Sequence, residues 1–312
     1  MFRIQDLILL LVIFVSILTG VLLPRIGSLF QPFVLYLMML LLFLSFLTIK
    51  TDTIYLTLKK AAGTIALLAV VKTIVLPIGV YFLFKVLCPS YALAALLLSG
   101  ISTGVVAPFI ANVVEANSPL VLVVVVITSL LAPFTLPAII KILLARSVDI
   151  SLFAMIRMLC LVVFIPIFAV ETLRRFKPAL IDGLMRRQFP ISLVIFFIIN
   201  MGVFSQYADF FCQEPATILT ALAIAVILSG IYLLAGILSL PLASLENQLA
   251  GVISLGNMNS VLIIVFASQF FGPLEATLAA MYHFPFFGLI LPLKLYRSWR
   301  LDRKQRGAQG VN

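Results

Sequence analysis

Residues 253–272 read ISLGNMNSVLIIVFASQFFG. The stretch is apolar and long enough to span a bilayer, yet Gly256, Asn257, Asn259 and Ser260 crowd its beginning instead of spreading along it. An amide in hydrocarbon costs several kcal/mol unless something pairs with it. These side chains therefore either glue helices together or line a site.

Composition settles the solvent. Of 312 residues 63% are hydrophobic and 10% charged, far below the ~25% charged content of soluble domains. The chain reads as an integral membrane protein, an all-α one, because its apolar runs are long and lack the period-2 alternation of barrel strands. At ~20 residues per span, about ten spans are predicted, at 6–23, 29–48, 62–85, 91–114, 119–144, 152–173, 190–206, 216–239, 249–271 and 275–295. The first run follows Arg3 as a signal peptide would. It is longer than an h-region and lacks an A-x-A-like site, so it is read as the first span.

Lys and Arg in the short segments set the orientation. Lys50, Lys59 and Lys60 fall between spans two and three. Arg174, Arg175, Lys177, Arg186 and Arg187 fall between six and seven, and Arg297, Arg300, Arg303, Lys304 and Arg306 after ten. With ten spans these segments share one side, which places both termini in the cytoplasm and the chain in the plasma or inner membrane; Arg25, Lys141 and Arg146 are exceptions. The net charge of +10 is then topology and lipid-headgroup anchoring, and nucleic acid is not expected as a partner. Cys88, Cys160 and Cys212 have no paired spacing, so no metal site, redox site or cofactor is expected. Phosphate loops, H-E-x-x-H and convergent catalytic groups are absent from the sequence, which argues against an enzyme.

Weak internal similarity divides the chain. LLVIFVSILTG at 10–20 resembles CLVVFIPIFAV at 160–170, SPLVL at 118–122 and GPLEA at 272–276 each open a span, and Pro137 and Pro292 fall late in spans five and ten. Two five-span halves are predicted, 1–148 and 149–300, followed by a basic tail at 301–312. Because five is odd, the second half enters the membrane from the opposite face, the inverted-repeat plan of many secondary transporters.

The repeat sets Ser99–Gly104 of span four opposite Ile253–Met258 of span nine. Gly100, Ser102, Thr103, Gly104 and Pro108 interrupt the first; Gly256, Asn257 and Asn259 interrupt the second. Glycine costs ~1 kcal/mol and proline ~3 kcal/mol inside a helix, so both spans are expected to break, near Ser102–Pro108 and near Ser254–Asn259, and to cross at mid-membrane. Half-helix N-termini and freed carbonyls there would form a substrate or ion site, with Ser102, Thr103, Ser254, Asn257 and Asn259 in it. Lys72 lies deep in span three, five residues before Pro77. A central lysine costs about 2.5–3.5 kcal/mol, so it is expected to face a cavity or partner. Thr128 and Ser129 precede Pro133 in span five, Glu115 follows the first crossing segment, and His283, the single histidine, lies in span ten; all four join the candidate set, Glu115 at the inner mouth.

The chain resembles the bile acid:sodium symporter family, within the wider superfamily that includes arsenite and auxin carriers. The resemblance is carried by SGISTGVVAPFIANVVEANSPLVLVVVVITSLLAPFTLPAII (99–140), similar to the family's Gly-rich crossing helix and following span, by SLGNMNSVLIIVFASQFF (254–271), similar to its E-x-G-x-Q-N segment, and by KTIVLPIGVYFLF and VVFIPIFAVETLRR in spans three and six. It implies ten helices, with a panel of spans 1, 2, 6 and 7 beside a core of 3–5 and 8–10. It also implies secondary transport of an organic anion. Departures are specific. Ser254 and Met258 stand where the family carries Glu and Gln sodium ligands, Ala107 and Pro108 replace a Ser-Asn pair, and Val121 and Val125 replace hydroxyls, although Asn259 retains the family's Asn. Lys72 aligns with a sodium-binding Gln. Hard cations want oxygen ligands, so transport is expected to be independent of sodium, uncoupled or proton-coupled, with Lys72 supplying the positive charge. The alternative is a transporter-derived sensor or a channel-like module. A filter sequence and a soluble output domain are not evident in the sequence.

Overall fold

The computed structural model describes residues 4–49, 51–144 and 151–309. Met1–Arg3, Lys50, Arg146 and residues 310–312 lie outside them, as do the side chains of Arg303, Lys304 and Arg306. The described residues are helical throughout, apart from turns and one isolated antiparallel bridge. In chain order the helices are α1 (Ile4–Leu22), α2 (Pro24–Ser28), α3 (Val34–Phe46), α4 (Thr51–Val70), α5 (Leu76–Leu87), α6 (Ala92–Gly100), α7 (Ala107–Val113), α8 (Ser118–Leu144), α9 (Leu152–Phe176) and α10 (Pro178–Ser205). They continue as α11 (Ala208–Gln213), α12 (Ala216–Ser239), α13 (Leu245–Gly256), α14 (Ser260–Phe270), α15 (Pro273–Met281), α16 (His283–Gly288) and α17 (Ile290–Gln309).

Among the described residues six helical stretches are long and apolar enough to cross a membrane: Thr53–Leu87, Ser118–Leu144, Leu152–Phe176, Pro178–Ser205, Ala216–Ser239 and Pro273–Leu301. Gln31–Phe46, Pro89–Gly100 and Ser260–Phe270 are shorter apolar helices. One helix starts well before its expected span: α10 begins at Pro178 with Arg186 and Arg187 inside it. α4 leaves helical geometry at Ala61 (φ −134°, ψ 28°), so Lys59 and Lys60 lie on a separate helical stretch that ends where the third span is expected to start. Hydropathy marks where a helix becomes apolar, not where it begins. Lys and Arg are good helix formers, and Pro178 at the first helical position is pre-set for a start.

Between α4 and α5, Val71–Val75 forms a π-helical turn. Pro77 cannot donate to the Thr73 carbonyl and its ring clashes there; widening the turn accommodates the proline, and π-turns of this kind accompany functional sites. The same turn carries Lys72.

The helices pack as two groups joined along α8 and α9. α3 lies between α9 and α10, and α10 also runs along α1. In the other group α4 and α5 pack on α8 and α6, α12 on α13 and α15, and α14 on α15. At its centre residues 94–104 and 248–260 are buried without exception, the pattern of segments surrounded by protein on all sides.

Candidate functional site

α6 ends at Gly100 and the chain resumes helix at Ala107; α13 ends at Gly256 and α14 starts at Ser260. The intervening segments meet. Thr103 and Met258 form the antiparallel bridge, Gly104 N donates to the Asn257 carbonyl at 2.7 Å, and Asn259 N donates to the Ser102 carbonyl at 3.0 Å. Backbone groups released from the two helices thus satisfy one another, as buried backbone must. Only glycine fits at 104: a Cβ there would lie 2.6 Å from the Met258 carbonyl oxygen.

Side chains complete the junction. The Thr103 hydroxyl donates to the Ser254 carbonyl at 2.7 Å, and Thr103 N donates to the Thr128 hydroxyl at 3.1 Å. Asn259 caps α14 by accepting from Leu262 N, the role for which Asn is favoured at a helix start. Ser102 Oγ, Ser129 Oγ, Ser254 Oγ and Asn257 Nδ2 are buried without a hydrogen-bond partner among the described residues.

The two helix C-termini are closed by different groups. Lys72 is fully buried, and its ammonium donates to the Ser99 carbonyl at 2.9 Å and contacts the Met258 sulfur. In a continuous helix Ser99 would accept from Thr103 N, which here turns to Thr128. The lysine therefore sits on an orphaned carbonyl at the negative end of α6. At the end of α13 the Tyr282 hydroxyl donates to the Gly256 carbonyl at 2.6 Å. Tyr232 touches both ends, with its hydroxyl 2.8 Å from Ser99 Oγ and its ring edge-on to Tyr282.

A cavity of about 460 Å³ lies between the two helix groups. One wall is α3 and α10, including Leu41, Ser45, Arg186, Ser192 and Phe196; the other is the junction and α16, including Gly104, Phe109, Met258, Asn259, Ser260 and His283. His283 Nδ1 donates to the Ala280 carbonyl at 3.0 Å, and its ring stands edge-on to Phe196 at 5.6 Å. Gly104, Asn259 and His283 thus share one cavity. Lys72 does not line it and lies behind Met258. Ser129 borders a smaller space of about 100 Å³ with Phe46, Ile167 and Arg174.

Glu115, expected at the inner mouth, does not line the cavity. It adopts a left-handed conformation with φ 56° after α7, and its exposed carboxylate pairs with Arg297. Helix termination explains the placement, since the residue after a helix C-terminus often turns left-handed. Pro108 sits in the first turn of α7, where a missing N–H is harmless. Residues that sequence reasoning missed are Tyr232, Tyr282, Ser192 and the cavity role of Arg186. Ser192 was findable as a polar residue in an apolar run; Arg186 was masked by its value as a topology marker. Among the described residues no cluster of His, Cys, Asp and Glu could hold a metal ion.

Residues 32–214 match the model of the Sodium Bile acid symporter family. Among curated proteins none matches the chain. The family match covers more than half of the sequence, and the chain belongs to that family, a multi-pass family of membrane transporters.

Proposed function

We propose that this member of the sodium bile acid symporter family is a secondary transporter that moves an organic anion by alternating access without sodium, with Lys72 in the electrostatic position of a coupling cation. The observation that carries this reading is the Lys72 ammonium on the Ser99 carbonyl, 2.9 Å away, at the C-terminal end of an interrupted helix. Such an end carries roughly half a negative charge, and an ammonium there does what a bound cation would do. The oxygens a sodium ion would require are correspondingly few. Val121 and Val125 of α8 are fully buried hydrocarbon, and Met258 offers sulfur to the lysine. Sodium favours oxygen ligands, as hard cations do.

The architecture we infer is ten spans in two inverted repeats, 1–148 and 149–300, with both termini cytoplasmic and the basic tail beyond 300. The packing supports it. α5 on α6 is matched by α12 on α13, α7 on α8 by α14 on α15, and α4 against α8 by α12 against α15. The fourth span of each half is interrupted, so each consists of two short helices. In this reading α1, α3, α9 and α10 form the panel, the other helices form the core, and the junction lies at mid-membrane. The cavity between them falls within the 300–1,000 Å³ typical of small-molecule sites. Ser102, Thr103, Ser254, Asn257, Asn259 and Thr128 then form the substrate-side core, and His283 the end of the cavity.

The test is counterflow of a labelled organic anion in proteoliposomes, in sodium and in choline media. Saturable counterflow of equal rate in both supports the reading; a sensor or a channel would show no saturable exchange.

A further inference from the structure

We infer that α17 straps the helix crossing from outside: Tyr296 and Arg297, neighbours on that helix, hold together the far ends of the two interrupted helices, and this tie sets how readily the junction between them opens. The far ends meet. α7 leads away from the junction to Glu115, and α13 leads into it from Leu245. Asn117 N donates to the Glu246 carbonyl at 3.1 Å, and Asn117 Nδ2 donates to Asn247 Oδ1 at 2.8 Å. α17 makes one contact to each side of this meeting point. The Arg297 guanidinium pairs with the Glu115 carboxylate, and the Tyr296 hydroxyl donates to Gln248 Oε1 at 3.3 Å. Successive residues of a helix point about 100° apart, so α17 lies over the seam with one residue turned to each helix.

The bonds on the α13 side have a direction. Arg300, one turn beyond Tyr296, donates to the Tyr296 hydroxyl at 2.9 Å and lies over its ring. A guanidinium has no acceptor, so the proton of the tyrosine goes to Gln248. Gln248 is buried and spends its Nε2 on the Pro241 carbonyl at 2.9 Å. A buried amide needs partners at both ends, and α17 supplies the one at its oxygen. On the α7 side Glu115 holds a left-handed backbone, φ 56°, and a non-glycine residue keeps that conformation only where its surroundings hold it.

Both contacts are near enough to act on the junction. α7 is seven residues long and has no side-chain cap, too short to persist without what it packs against. Gln248 lies eight residues before Gly256, about 12 Å along α13. A shift at either far end is therefore delivered to the bonds from Gly104 N to the Asn257 carbonyl and from Asn259 N to the Ser102 carbonyl. The side chains of Arg297 and Glu115 are 29% and 68% exposed. An exposed pair is weak and screened by salt, which suits it to adjusting the opening of the junction and not to holding the fold.

Hydrogen exchange tests the strap. Exchange of the amides in residues 100–107 and 256–262 is followed in the full chain in phosphatidylcholine nanodiscs, for wild type, Glu115→Arg, Arg297→Glu, the double swap and Tyr296→Phe, with melting measured alongside. Each single reversal should speed exchange in both segments roughly fivefold, the loss of one exposed ion pair plus the like-charge contact that replaces it. The double swap should bring both segments back to the wild-type rate. Tyr296→Phe should speed both segments by a smaller factor. Going from about 50 to about 500 mM KCl, screening lengths of roughly 14 and 4 Å, should speed the junction in wild type and slow it in the single reversals. The salt comparison in wild type needs no variant to fold. Junction exchange that ignores salt in wild type, single reversals that exchange at the wild-type rate, or a double swap no better than its parents overturns the strap. Acceleration spread over the whole chain with a matching fall in melting overturns it as well, since Tyr296 and Arg297 would then be ordinary stabilising residues.

Discussion

Ala92–Gly100 ends against an ammonium, that of Lys72, whereas Leu245–Gly256 ends against the neutral hydroxyl of Tyr282. Both helices stop at a glycine, and both end among buried residues. The chain resumes differently as well. The first gap is followed by α7, which has no side-chain cap and carries Pro108 in its first turn, while α14 is capped by Asn259. The two helix breaks thus carry two different chemical closures. A neutral hydroxyl is sufficient to satisfy a lone carbonyl, so the charge at the first junction calls for a reason beyond hydrogen bonding. In our account the reason is the charge of a transported anion, which the ammonium balances from behind Met258.

The largest effect is expected where the two junctions touch. Gly104→Val would drive a side chain into the Met258 carbonyl, a backbone that cannot retreat without breaking the bridge. A loss of about 3 kcal/mol or more is expected, seen as a collapse of monodisperse protein in detergent. Survival of Gly104→Val with native melting would mean that the bridge does not hold the junction together.

Lys72→Met separates charge from packing. The variant leaves the Ser99 carbonyl short of a donor, at about 1–3 kcal/mol, but removes a buried lysine that costs about 2.5–3.5 kcal/mol. These nearly cancel, so the melting temperature is expected to hold or rise while anion transport falls at least tenfold. A fall in melting with transport per folded molecule unchanged would make the lysine a structural cap, on a par with Tyr282.

Asn259→Ala removes the α14 cap, for which about 1 kcal/mol is the ordinary cost. Transport is expected to fall further than that modest loss of stability accounts for, because Asn259 also lines the cavity. Loss of uptake in proportion to lost folded protein would show that the amide is glue. Smallest of all is Tyr282→Phe, which deletes one hydroxyl from the Gly256 carbonyl. About 1 kcal/mol of stability is expected to go, read from thermal unfolding in detergent, with transport retained. A transport defect as deep as that of Lys72→Met would erase the contrast between the two ends.

Much of the junction was legible in the sequence because its signals are local. Gly100, Gly104 and Gly256 with adjacent polar residues advertise an interrupted helix in a chain that otherwise reads as continuous hydrocarbon. The depth of Lys72 in an apolar run, with Pro77 one turn on, marked it as a residue needing a partner. The identity of that partner was not legible, since Ser99 and Met258 come from two other helices and the bond depends on a carbonyl freed by the break. The start of α10 was missed for a related reason: the basic residues that flag a loop in a membrane protein are also good helix formers. Arg186 shows the same ambiguity, since a residue counted for orientation also stands at the rim of the cavity.

The most direct test of the central claim is uptake of a labelled organic anion into proteoliposomes, in sodium and in choline buffers, for wild type and Lys72→Gln side by side. The account predicts equal wild-type rates in the two buffers and a loss of uptake in Lys72→Gln when sodium is absent. A wild type that requires sodium, together with a Lys72→Gln variant that remains fully active, would contradict it and reduce the lysine to a passenger.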